Sequence, residues 1–226
     1  IGVRLVGSEM CIRDRHQGLQ ARYVLVGDDF RYGAQRAGDY AFLDAQGAEL
    51  GFEVARMMSY EVHGLRVSSS AVRSALSAGD LTQARLLLGR PYVLSGRTIH
   101  GAKLGRELGF RTLNLRLPYH RSAAMGIFVA RVHGLTSQPL PAVASLGVRP
   151  TVEDAGRLLL EVHCLDWPST LGTEGGYGKC VQVELTYKLH DERKYESLEA
   201  LKAGIAQDVE DARRWHGEHG EHAQRG

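Results

Sequence analysis

The chain has 226 residues, 43% of them apolar, which suits one large or two small domains with cores of their own. A formal charge of +2 excludes bulk attraction to a polyanion, and no apolar run approaches the length of a membrane span. The three cysteines, Cys11, Cys164 and Cys180, fit neither a disulfide framework nor a zinc site and point to a reducing, cytoplasmic compartment.

The opening IGVRLVGSEMCIRDR (residues 1–15) has neither the apolar region of a signal peptide nor a good domain start. It is read as foreign sequence, with the protein's own N-terminal part expected upstream. YVLVG (Tyr23–Gly27) then reads as a buried strand with polar groups, Asp28 and Asp29, at its carboxyl end. GFEVARMMSYEV offers a second strand. VSSSAVRSALSAG reads as a helix capped by Ser68 or Ser69, with Val72, Ala75 and Leu76 on its apolar face and Gly79 at its end. A short second helix carries Ala84, Leu87 and Leu88, and Pro91 forbids continuation. Alternating strand and helix make residues 16–90 an α/β piece.

Beyond residue 90 the pattern changes. YVLSGRTIH, GIFVARVHG, PAVASLGV, LLLEVHCLDW and CVQVELTYKL each read as a strand, which favours an antiparallel barrel or sandwich. YESLEALKAGIAQDVEDARRW is an amphipathic helix on Leu198, Leu201, Ile205, Val209 and Trp215, with Ser197 as its cap; residues 218–226 are polar and expected to be disordered.

The densest chemistry lies in GAKLGRELGFRTLNLRL, residues 101–117. Gly101, Gly105 and Gly109 let a backbone approach phosphate oxygens, and Lys103 and Arg106 add charge. Thr112 and Asn114 are two residues apart, so on a strand they share a face and present two hard oxygens suited to Mg²⁺. Taken alone, this spacing is better explained by a glycine-rich hairpin loop with solvated basic residues. Glu161 shares a strand face with His163 and has the chemistry of a general base, or of an ordinary outward glutamate.

The ordered blocks GRELGFRTLNL, GIFVARV, SLGVRPTV, LEVHCLDW, YGK and HDERKYESLEAL resemble the riboflavin kinase domain of bacterial bifunctional riboflavin kinase/FAD synthetases, over about Tyr92–Trp215. The resemblance implies a six-stranded antiparallel barrel with a C-terminal helix over residues 91–217, and ATP- and Mg²⁺-dependent phosphorylation of riboflavin to FMN. It places metal and phosphate contacts on Gly109, Phe110, Thr112 and Asn114, the general base on Glu161, and flavin-side contact on Glu192, with His163 structural. Two positions depart from the family: Arg111 stands for its usual proline, and His190 for the arginine of its Arg-x-Glu. The insertion GTEGG before YGK is assigned no role.

VGDDFRYGAQRAGD followed by VSSSAVRSAL resembles the last third of the FMN adenylyltransferase domain of the same enzymes, a Rossmann-like nucleotidyltransferase. That resemblance puts Ser69, Ser70 and Arg73 at a phosphate on a helix N-terminus, and Asp28 and Phe30 near nucleotide or flavin. A capped helix with a solvent arginine is the plainer account. The family's His-x-Gly-His motif is absent from this chain, so adenylyl transfer is expected only of a full-length parent. The competing reading is a flavin- or nucleotide-binding module impaired through Arg111 and His190. Nucleic-acid binding by the Lys103–Arg116 stripe is disfavoured by the near-neutral total charge.

Overall fold

The computed structural model describes residues 7–101, 109–117, 121–148 and 158–219. Two compact units divide at Val67/Ser68.

In the first unit, α1 (Ser8–Arg13) precedes β1 (Tyr23–Gly27), α2 (Tyr40–Leu50) and β2 (Glu53–Met57), with a small hairpin of β3 (Glu61–Val62) and β4 (Leu65–Arg66). β1 and β2 pair in parallel, Val26 opposite Arg56, with α2 as the crossover. The sequence analysis did not single out α2; Asp39 caps it by accepting from the Phe42 N–H, and Gly51 ends it at φ +83°. Ile12, Val26, Tyr32, Leu43 and Phe52 form the unit's core. Ile12, which lies in the stretch read as foreign, is 1% exposed there. β1 is not the fully buried strand its composition suggests. Tyr23 and Leu25 are more than half exposed, since helix packing covers only one face of a two-stranded sheet.

The second unit begins with α3 (Ser69–Ala78), capped by the Ser68 hydroxyl and closed by Gly79 at φ +78°, and α4 (Leu81–Leu88), capped by Asp80. Ala75, Leu76, Ala84 and Leu87 are buried, as their helical spacing requires. Six antiparallel strands follow: β5 (Tyr92–Ile99), β6 (Leu113–Arg116), β7 (Gly126–His133), β8 (Leu140–Val148), β9 (Leu158–Cys164) and β10 (Cys180–His190). They close in the order β10-β5-β6-β9-β8-β7, so the barrel resolves the choice between barrel and sandwich.

Alternation sorts the side chains. Leu113, Leu115, Phe128, Ala144, Leu146, Leu160, Val162 and Val183 fill the interior, each at most 1% exposed. The intervening residues line the outer wall. There Val129 and Val143 are buried with Leu165 beneath α5 (Leu198–His219), which contributes Ala212, Val209 and Trp215. The helix meets β7 and β8 through a face turned slightly from its expected stripe: Asp208 and Ala212 are its buried residues, and Leu198 is 53% exposed.

Candidate functional site

The candidate site stands on the part of the outer wall that β6, β9 and β8 provide. Glu161 on β9 is directly opposite Asn114 on β6 and, on its other side, directly opposite Ser145 on β8. Cross-strand neighbours of this kind hold their Cβ atoms about 5 Å apart and on one face. Asn114, Glu161 and Ser145 therefore form one polar row outside the barrel, with apolar rows on either side pointing inward. Ser145 was not singled out in the sequence; the phase of alternation in PAVASLGV puts it on the outer face, but its partner comes from strand register.

Asn114 is 3% exposed, and its buried Oδ1 has no hydrogen-bond partner among the described residues. An unsatisfied buried amide oxygen costs about 1–3 kcal/mol. An incoming cation would relieve that cost. Gly101 passes so close over the Asn114 amide that a Cβ there would overlap it. Thr112, two residues before Asn114, is partly buried, and its carbonyl accepts from the Tyr177 hydroxyl at 3.3 Å. Gly109 has φ +89°, the left-handed conformation that favours glycine. Phe110 packs edge-on against His163 at 5.7 Å. Hard oxygens from Asn114 and Thr112, one of them unpartnered, fit a Mg²⁺ ion. Lys103, Gly105 and Arg106 lie outside the described residues. Among the described residues no group of three or more His, Cys, Asp or Glu side chains could hold a metal ion.

The segment before β6 is firmly held. His163 Nδ1 donates to the Arg111 carbonyl at 2.7 Å, and burial pushes the His163 pKa down, which keeps the ring neutral. The Arg111 side chain stacks 4.4 Å from the Trp167 ring centroid and donates to the Gly172 carbonyl. Arg111 is thus directed at the 167–178 loop. Cys164, next along β9, points into the barrel, where burial pushes its thiol up to about 12 and leaves it unreactive.

At the other end of the row, Gly147 lies two residues beyond Ser145 on β8. The Glu192 carboxylate rests so closely against it that a Cβ at Gly147 would displace it. Burial, and secondarily the charge of Glu161, raise the Glu192 pKa. His190 is turned elsewhere. Its Nε2 meets the buried Asp208 carboxylate of α5 at 2.7 Å and its Nδ1 donates to the Asp191 carbonyl, so the ring fastens the helix to the barrel.

The remaining predicted residues are divided between the units. In the first, Asp28 follows β1 and accepts from the Ser59 N–H at 2.9 Å and from the Ser59 hydroxyl, bonds that hold its carboxyl below the usual range. Phe30 stacks on Tyr32 at 5.2 Å and packs against that unit's core. In the second, Ser69, Ser70 and Arg73 are exposed on the first turns of α3.

Family models match both parts of the chain: riboflavin kinase over residues 88–216, and FAD synthetase over residues 10–71. A bifunctional riboflavin kinase/FMN adenylyltransferase of Escherichia coli strain K12 is 43% identical over 199 residues, covering 88% of this chain and 62% of the relative. The protein of the same description from Pseudomonas fluorescens is 42% identical over 209 residues, covering 92% and 65%. The chain therefore spans less than two thirds of the length of these relatives. Among solved structures, a macrolide-efflux protein from Streptococcus pneumoniae superposes with a TM-score of 0.66 at 25% identity, covering 93% of this chain and 66% of that one.

Proposed function

The chain belongs to the riboflavin kinase family, and from that premise we propose that it transfers the γ-phosphate of ATP to the ribityl 5′-hydroxyl of riboflavin, giving FMN and ADP. The observation that carries this reading is the outer-wall row: a carboxylate, Glu161, set directly beside a buried amide oxygen, on Asn114, that lacks a partner.

Phosphoryl transfer to an alcohol demands a positioned nucleophile, an acceptor for its proton and compensation of phosphate charge. Glu161 accepts the hydroxyl proton. The Gly101 and Gly109 backbone admits the nucleotide close to the wall, with Lys103, Gly105, Arg106 and Phe110 in the same segment. Thr112 and Asn114 are the residues that would hold Mg²⁺, which when bound neutralises phosphate oxygens. Glu192 flanks the flavin side of the row. Transfer is direct and in line, without a phosphorylated enzyme; the one described cysteine beside the row is the buried Cys164.

FMN adenylyl transfer is proposed for a full-length protein that also carries a His-x-Gly-His motif, with Asp28, Phe30, Ser69, Ser70 and Arg73 as its contributions from this chain. Its substrates are small molecules, and three free cysteines suit the cytoplasm. Among the described residues no helix is long and apolar enough to cross a membrane.

The test is a product assay with riboflavin, ATP and Mg²⁺. FMN formation by the native chain and its loss in Glu161→Gln support the kinase. Riboflavin binding without FMN from either protein would favour the impaired flavin-binding module instead.

A further inference from the structure

We propose that Arg111 is a positioning residue for Thr112, acting through a latch made with the loop from Trp167 to Tyr177; the inference rests on the kinase reading of the site. The residues just before β6 stand outside the barrel's backbone ladder; His163 on β9 holds the Arg111 carbonyl, but no strand pairing holds the Thr112 carbonyl. The loop does. Tyr177 donates to the Thr112 carbonyl, and its ring stacks on His100 at 4.0 Å. The Gly172 carbonyl accepts from Arg111 Nη1 at 3.2 Å and from Trp167 Nε1 at 2.8 Å, which joins the stacked pair at a single acceptor. Thr98, on β5, donates to the Gly176 carbonyl at 2.6 Å. Gly176 is sandwiched between Trp167 and Leu113, and any side chain there would collide with both.

The insertion GTEGG, residues 172–176, thereby belongs to the site's scaffold. Its glycines are spent on close approach at Gly176 and on the φ of +55° at Gly172. Arg111 supplies what the loop grips. A guanidinium stacked on an indole is attracted by the ring face, and its planar fork sets a direction that a lysine would not. A proline at this position would restrain the backbone through its ring. Arg111 restrains it through the side chain.

The same contacts argue that Arg111 does not reach the phosphates. Its guanidinium is engaged by the Trp167 ring and the Gly172 carbonyl, with the Tyr177 ring at 5.8 Å.

The test uses the full chain with Arg111→Ala, Arg111→Lys, Trp167→Phe, Trp167→Ala and the double alanine variant, each confirmed folded by its melting curve. Calorimetry measures binding of Mg·ADP and of ADP with chelator, and turnover gives KM and kcat. The expected result is Mg·ADP affinity weakened about tenfold by Arg111→Ala, Arg111→Lys and Trp167→Ala, with metal-free ADP affinity and the riboflavin KM unchanged. The double variant falls no further than either alanine variant, because the two residues act as one unit. Trp167→Phe retains part of the affinity. Equal weakening of both ADP forms in the Arg111 variants, with Trp167→Ala silent, would show a direct phosphate contact and overturn the latch. Unchanged Mg·ADP affinity in Arg111→Ala would overturn it as well. Failure of the native chain to form FMN or bind Mg·ADP is a different result, which sinks the kinase reading itself.

Discussion

Glu192 and Glu161 are neighbouring carboxylates on the outer wall of the barrel, and the charge of Glu161 adds to burial in raising the pKa of Glu192. They come from segments 31 positions apart in sequence, one in a strand and the other just beyond the barrel's last strand. The pairing has a consequence for stability. A carboxyl whose pKa is higher folded than unfolded contributes stability below its unfolded value, near 4.5, and loses it as pH rises through the folded value. Glu192→Gln removes that titration. The native chain and the variant should match in melting temperature below pH 4.5, and the native chain should fall relatively behind above it. A difference independent of pH would count against the coupling.

Glu161→Gln keeps the shape of the row and removes the proton acceptor. General-base catalysis contributes about 10²–10⁴-fold, so kcat should fall by that factor while the ATP KM stays near the native value. Steady-state FMN formation measures both. Retained turnover would remove Glu161 from the role of base.

Asn114→Leu separates function from stability. The buried Oδ1 has no partner, so an apolar side chain of similar size relieves a cost of about 1–3 kcal/mol. Urea titration should show a stability equal to or above that of the native chain, and Mg²⁺-dependent FMN formation should be lost. Marked destabilisation would indicate that the amide is satisfied in solution.

His163 gives a second pH effect, of opposite sign to that of Glu192. Its pKa is lowered by burial, so its contribution is present above the ordinary value of 6.5 and is lost as pH falls toward the folded value. His163→Gln should remove the part of the acid destabilisation that sets in below pH 6.5. Melting curves across that range decide the matter.

Ile12→Ala tests whether the opening residues are part of the folded first unit. A fully buried isoleucine truncated to alanine costs about 2–5 kcal/mol, and the loss should appear in the denaturation of that unit. An unchanged transition would mean that the stretch is dispensable.

Much of this protein was legible in one dimension. The cap at Ser68 or Ser69, the glycine stop at Gly79, and the strand-like runs from Tyr92 onward are local signals, and local geometry alone answers them. Period-two alternation also put Glu161 and His163 on one face. What could not be read were relationships between distant segments. Strand register placed Ser145 and Asn114 on either side of Glu161, and barrel closure fixed that register. The packing of α5 brought His190 to Asp208, a partner 18 positions away that its motif position does not reveal. An insertion with no motif of its own became the partner of Arg111 through a ring stack and one shared carbonyl. Sequence by itself determined the family, the elements and the reactive residue types, because propensity and periodicity act within a few residues. Only the tertiary structure decided which of those residues meet, because barrel closure fixes non-local neighbours by satisfying every strand's hydrogen bonds at once.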